Sequence, residues 1–297
     1  MTDQPLGVFA GLATLDVIHH VSAVPRANEK VTGTAQFVAA GGPAANAAVT
    51  FAGLGGRAVL LTVLGRGPVA ALIRADLDEC GVEVVDIDPD RTTGAPVSSV
   101  AVTAASGERA VVSADAVDDG TDAPADLSGR LLDAATLLVD GHYPRLAVAA
   151  ARAARDRGIP VVVDAGRWKS VMADLLPLAD AMVCSADFRY PGTTTSAHTA
   201  GILVAGGVPG VVTTHGGGPV LWWQQGEHGA VEVPAVEVRD TLGAGDVFHG
   251  AYCYFRSGSG SGMAGDLGHA ARIAALRCTV PGPRAWLGLL DPRPSMP

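Results

Sequence analysis

Segments with strand character and segments with helical spacing alternate along most of this 297-residue chain, and that alternation constrains the fold more than any single motif. Leu137–Asp140, Pro160–Asp164, Ala181–Cys184 and Gly210–Thr214 read as short apolar strands, the last paired back by Val220–Gln224. Arg145–Arg157, Met172–Leu176 and Thr195–Ala205 read as the helical pieces between them, with further helices at Ala244–Arg256 and Met263–Cys278. In the first half, Val8–Ala13 and Ala58–Val63 read as strands, Ala44–Leu54 and Val69–Cys80 as helices. This rhythm predicts an α/β fold: a doubly wound, mostly parallel sheet with helices on both faces, whose ligands bind beyond the carboxyl ends of strands. Asp16, Asp140, Asp164 and Thr214 fall at such predicted ends.

Two excursions break the rhythm. Ile18–Val24 with Thr32–Val38, and Val97–Ala104 with Arg109–Ser113 around a glycine turn, read as paired strands. They predict a small sheet standing off the core, carried on segments 17–38 and 95–114 of one unit spanning 1–297.

Composition limits the partners. The chain carries a net charge of −9 and no long basic run, which excludes nucleic acid as a partner. An anionic ligand must then be met by local N–H groups, an arginine or a metal ion. Cys80, Cys184, Cys253 and Cys278 are widely spaced, with no metal-binding pattern, as expected of reduced thiols in a cytoplasmic protein. The N-terminus has no signal-peptide pattern. Residues 200–223 carry no charged side chain but hold seven glycines and two prolines, which argues against a membrane helix.

The chemistry points to Asp240-Thr241-Leu242-Gly243-Ala244-Gly245-Asp246-Val247-Phe248-His249-Gly250. Gly243, Ala244 and Gly245 form a small-residue turn, and Val247, Phe248, Ala251, Tyr252 and Phe255 continue it with helical spacing. A turn opening a helix aims unpaired amides outward at its positive end, a cradle for phosphate or an oxyanion. Asp246, in the first turn, could take a proton from an attacking hydroxyl. A carboxylate so close to a helix N-terminus is expected to be a weak base; alternatively it only caps the helix. A second small-residue turn, Gly41-Gly42-Pro43-Ala44-Ala45-Asn46-Ala47-Ala48, lies near the other end of the chain.

The ordered pair D-T-x-G-A-G-D-x-F-x-G and G-G-x-x-x-N-x-A resembles the two signatures of the ribokinase-like (PfkB) carbohydrate kinases. The resemblance implies an ATP-dependent sugar kinase of ribokinase-like fold whose small sheet is a lid over the sugar and often a dimer contact, and hence a homodimer. It implies Asp246 as base and the amides of Gly243, Ala244 and Gly245 as the anion cradle. Asp16, at the family's spacing from Gly11, would join Gly41, Gly42 and Asn46 in binding sugar. Lys30 lies where some relatives carry a substrate-contacting lid lysine. Arg109, in a G-E-R turn, either points at sugar or phosphate or decorates the hairpin, and His142 would sit near the sugar pocket. Thr214 and Gly216 resemble the T-x-G turn that meets the nucleotide. Mg²⁺ would bridge the phosphates, and a monovalent cation such as K⁺ would lie near Asp240 and Gly282. A nucleoside kinase of the same fold, or a non-catalytic sugar or nucleotide sensor, would carry the same motifs.

The chain also departs from the pattern. The family's N-x-x-E, whose acid organises Mg²⁺ and water, becomes Ser185-Ala186-Asp187-Phe188, with Asp187 able to substitute only if the loop shifts. Asp164 and Arg167 resemble a D-x-x-R stretch, read most simply as an ion pair. The run Ala274–Ala285 is most similar to sulfofructose kinases, and Lys30 agrees with their sulfonate lysine. Ser113 and His142, however, stand about where those enzymes carry an asparagine and an arginine, which counts against sulfofructose itself.

Overall fold

The structure, a computed structural model, describes residues 4–115, 120–258 and 260–290. In chain order its elements are β1 (Leu6–Ala10), β2 (Thr14–Val21), β3 (Ala35–Gly41), α1 (Pro43–Gly53), β4 (Arg57–Thr62), α2 (Pro68–Glu79) and β5 (Val82–Asp86). There follow β6 (Val97–Thr103), β7 (Arg109–Ser113), α3 (Leu127–Arg130), β8 (Ala134–Val139), α4 (Pro144–Arg155), β9 (Val161–Ala165), α5 (Met172–Leu175) and β10 (Ala181–Cys184). The chain continues through α6 (Ser196–Ala205), β11 (Gly210–His215), β12 (Gly218–Gln224), β13 (Glu227–Val231), α7 (Ala244–Arg256) and α8 (Gly262–Cys278). Two short 3₁₀ turns, Leu176–Leu178 and Ala285–Leu289, complete the list.

Nine strands form one sheet in the order β13-β12-β11-β10-β9-β8-β1-β4-β5. The seven from β11 to β5 run parallel, and the β12–β13 hairpin adds an antiparallel edge. Side chains alternate between two cores. Phe9, Leu60 and Leu138 face α1, α2, α7 and α8, whereas Val8, Leu61 and Leu137 face α4 and its neighbours. The doubly wound expectation holds. Trp222 and Trp223 pack into opposite cores, as adjacent strand residues must. Strand order reverses between β1 and β8, and at such a switch point the diverging connections leave a crevice beyond the strand ends.

The second sheet has the order β3-β2-β6-β7 and is the small sheet expected from the two excursions. β6 and β7 form the predicted hairpin, while β2 and β6 pair in parallel. β1 stops at Ala10 and the chain restarts as β2 at Thr14, so Asp16 is not at the end of a core strand but inside the first strand of the lid. β5 and β13 were not legible as strands: both are flanks of the sheet, partly exposed and interrupted by Glu83 or by Glu227, His228 and Gly229.

Candidate functional site

Two helix N-termini meet at the crevice. α1 starts after Gly42, whose φ of 97° and whose approach to the Leu12 carbonyl oxygen (a Cβ there would lie 2.4 Å away) leave room only for glycine. Pro43 takes the first helical position, where its missing N–H costs nothing. α7 starts after Gly243, left-handed at φ 73°. The two helices touch closely because Gly250 has no side chain: a Cβ there would lie 2.2 Å from the Ala47 carbonyl oxygen. That approach sets Asn46 against Asp246, with Asn46 Nδ2 donating to Asp246 Oδ2 at 2.9 Å.

One carboxylate fixes the floor. Asp140, just past β8, accepts from the backbone N–H of Leu12 (2.9 Å) and Ala44 (3.2 Å) through Oδ2, and from that of His142 (2.9 Å) through Oδ1. Burial alone would raise its pKa. The charge and hydrogen bonds of His142 and the charge of Lys169 outweigh that and hold Asp140 well below the usual carboxylate range. His142 Nδ1 lies 3.1 Å from Asp140, so the imidazole is engaged there.

Asp16 is buried, and its Oδ1 accepts from Thr14 Oγ1 at 2.7 Å. Gly41 makes room for it, since a Cβ at 41 would fall 2.0 Å from Asp16 Oδ2. Burial lifts the Asp16 pKa, opposed by hydrogen bonds from Thr14 and Ser98 and by the charge of Arg284. Asp16, Asn46, Gly243, Arg277, Arg284 and Trp286 line a small cavity of about 20 Å³, room for one ordered water.

Asp246 departs from the sequence expectation. Burial first, and then the charge of Asp164, push its pKa up to about 6, against the lowering influence of Asn46, His249 and Arg109. The carboxylate is therefore a stronger base than its place at a helix N-terminus suggests, because desolvation and a second acid outweigh the dipole. His249, one turn further along α7, explains the neighbourhood. Its Nδ1 lies 3.1 Å from Asp164 Oδ2, both side chains buried. Burial disfavours the imidazolium, but Asp164's charge and hydrogen bond, together with Asp246, raise the His249 pKa overall. Asp164 thus pairs with His249 and not with Arg167, which reaches Asp115 at 2.9 Å.

The lid turn closes from above. The Gly107 carbonyl accepts from Thr241 Oγ1 at 2.7 Å, and Arg109 Nη1 donates to Thr241 Oγ1 at 3.3 Å, beside the cradle. Lys30 is exposed in the β2–β3 connection. On the far side, the ends of β10 and β11 carry the remaining candidates. Thr214 Oγ1 donates weakly to the Cys184 carbonyl (3.5 Å), Ser185 Oγ to the Gly166 carbonyl (2.7 Å), and Gly216 is exposed at φ 60°. Phe188, at the place of the family's acid, is fully buried with its ring centroid 5.9 Å from that of Trp168. Asp187 is exposed on the same turn, its N–H donating to Ser185 Oγ.

Sequence reading missed His249, Arg277 and Arg284 as site residues. His249 carries a usable signal, since three residues beyond Asp246 is the same helix face. Arg284 gives none until the fold brings it to Asn46 Oδ1 (3.3 Å), Asp76 (2.8 Å) and the Ala40 carbonyl (2.6 Å).

The profile of the pfkB family carbohydrate kinases matches residues 6–287. The ATP-dependent ribose-1-phosphate kinase of Halopiger xanaduensis is 31% identical over 160 residues, 53% of this chain and 53% of that protein, so the match spans about half the length of that curated relative. A candidate ribokinase from Agrobacterium tumefaciens superposes with a TM-score of 0.85 at 25% identity, covering 96% of this chain and 94% of that one. The ribokinase of Arabidopsis thaliana complexed with ribose and ATP superposes with a TM-score of 0.76 at 22% identity, covering 98% and 99%.

Proposed function

This chain belongs to the pfkB family of carbohydrate kinases, and from that premise we propose that it transfers the γ-phosphoryl group of ATP to a hydroxyl of a small carbohydrate or carbohydrate derivative. The observation that carries the proposal is the 2.9 Å contact of Asn46 with Asp246 beside the open turn at Gly243, which puts a general base, a hydroxyl-binding amide and an anion cradle within one cleft.

Asp16 and Asn46 orient the acceptor. Its hydroxyl gives its proton to Asp246 as the new O–P bond forms and the bond from the γ-phosphorus to the ADP oxygen breaks. Backbone N–H groups at Gly243, Gly245 and Asp246 receive the charge on the moving phosphoryl group, whereas that of Ala244, expected to join them, donates to the Thr241 carbonyl at 3.3 Å and holds the turn. A base near pKa 6 is mostly ionised at neutral pH and still accepts the proton. Thr214 and Gly216 would meet the nucleotide. Arg109 reaches the cradle from the lid. Lys30, being exposed, and His142, held by Asp140, would contact the acceptor only after the lid or floor moves. Mg²⁺ brought with ATP would supply neutralisation of the phosphate charge. Of the residues in the altered N-x-x-E turn, only Asp187 offers a carboxylate to its water shell, because Phe188 is buried in the core.

A homodimer through the lid fits this reading. Val38 and Val112, in register across β3-β2-β6-β7 and so on one face of the sheet, are 50% and 76% exposed, an apolar pair suited to a second copy. The four cysteines are free, as suits a cytoplasmic protein, and among the described residues no helix is long and apolar enough to cross a membrane. The test of the proposal is ADP release measured over a panel of sugars, sugar phosphates and sugar acids, with Asp246→Asn as control. Absence of acceptor-dependent ADP release across the panel overturns it.

A further inference from the structure

The turn that carries the cradle is anchored by a buried positive charge. Asp240, fully buried, accepts from the Leu242 N–H at 2.9 Å through Oδ1 and from the Gly282 N–H at 3.0 Å through Oδ2. Arg277, only 2% exposed near the end of α8, sends its guanidinium into the same place. Nη2 lies 3.2 Å from Asp240 Oδ2, and Nη1 donates to the carbonyls of Val280 (3.0 Å) and Asp240 (3.4 Å). His20, from the lid, brings Nε2 to 3.4 Å from the same carboxylate oxygen. Arg277 also lines the acceptor cavity.

One carboxylate oxygen and two backbone carbonyls, drawn from the segments flanking the cradle, are the hard oxygen ligands that an alkali cation takes. Here they converge on a guanidinium. A second cation between Asp240 and Gly282 would lie beside that fixed charge in a buried setting and compete for the same lone pairs. The residues therefore do not fit the exchangeable monovalent cation that family resemblance places there.

We infer that Arg277 is the resident cation of this site: its guanidinium takes the place of a bound K⁺, holds the Asp240–Gly243 turn so that the cradle amides point at the phosphoryl group, and frees the enzyme from monovalent-cation activation. Arg277 is a positioning residue, acting through the turn. The inference rests on the kinase reading for its activity arm only.

The test begins with the wild-type full chain. Its melting temperature is compared in K⁺, Na⁺ and tetramethylammonium salts at equal ionic strength, which needs no substrate. The expected result is no K⁺-specific rise; such a rise overturns the inference even if no acceptor is found. With an acceptor in hand, turnover in the three salts should agree closely. A K⁺-specific gain of about five-fold or more, the lower range of usual coupling between a ligand and a site, overturns it. Arg277→Ala should lower kcat more than it changes KM for the acceptor, and added K⁺ or methylguanidinium should restore part of the loss. A well-folded Arg277→Ala that keeps full kcat, or whose loss neither cation restores, counts against the substitution of one cation by the other. If Arg277→Ala does not fold, the wild-type salt comparison decides alone. Absence of ATP turnover in every salt defeats the kinase reading, while the melting experiment still judges the cation site.

Discussion

Asn46 Nδ2 lies 2.9 Å from Asp246 Oδ2, a single hydrogen bond that spans 200 residues of sequence. It joins the first turn of α1 to the first turn of α7, so each of the two small-residue motifs supplies one partner. The bond stabilises the ionised form of Asp246, and it leaves Asn46 Oδ1 to accept from Arg284. The side chains proposed to hold the acceptor and the proposed base are thus one connected unit.

Removal of the base is the most direct check. Asp246→Asn should lower kcat by about two to four orders of magnitude, since both proton acceptance and placement of the hydroxyl are lost. KM for ATP should change little. Steady-state kinetics with the acceptor found in the panel gives the answer, with circular dichroism to confirm the fold.

The same substitution should stabilise the protein, and the sign follows from the proton balance. Asp246 moves from 3.8 to about 6 on folding, so the folded state binds the proton more tightly than the unfolded one. Its contribution to stability is present at low pH and is lost as pH rises through the window from 3.8 to about 6. Above that window the half-buried carboxylate is a net cost that asparagine does not carry. Asp246→Asn should melt roughly 2–4 °C higher than wild type at neutral pH, with the difference vanishing in acid. Thermal melts across pH check this.

The pH dependence of kcat/KM should show an acid limb near pH 6, the value to which burial and Asp164 bring the base. Asp164→Asn removes the second-largest raising influence. It also lets His249 lose its proton more readily, which withdraws a smaller, opposing one. The limb should therefore move to lower pH. A limb that stays in place or rises would contradict this account of Asp246.

Gly250→Ala tests the helix contact that builds the site. The new methyl would meet the Ala47 backbone at 2.2 Å, and backbone cannot swing aside as a flexible side chain does. Overpacking of this kind costs about 1–3 kcal/mol, and pushing α7 off α1 should also separate Asn46 from Asp246. Denaturant melts and turnover should fall together.

Val112→Lys addresses the lid. Val112 is 76% exposed on β7, so the change should leave the fold and melting behaviour of the isolated subunit intact. If two copies meet through this face, the variant should sediment as a monomer where the wild type sediments as a dimer.

Much of this architecture was legible because the core strands are short, apolar and evenly interrupted by helices. The two site motifs were legible because small residues before a helix have few other uses. What escaped was contributed by tertiary context. Asp16 reads as a strand-end acid, yet the chain turns at Gly11–Ala13 and places it inside the lid sheet. Asp164 and Arg167 are near in sequence, but β9 buries the first against His249 while the second turns outward to Asp115. The basicity of Asp246 could not be read from helix position alone, because the burial that raises it most, and the second acid, Asp164, that adds to it, are both supplied by the fold and not by neighbours in sequence.

Arg284 ties distant parts of the chain together. By reaching Ala40, Asp76 and Asn46 at once, it clasps β3, α2 and α1 from a segment 208 to 244 residues away in sequence. Any change that displaces the stretch after α8 is therefore felt at Asn46 through this one guanidinium, even where no residue of that stretch touches Asp246.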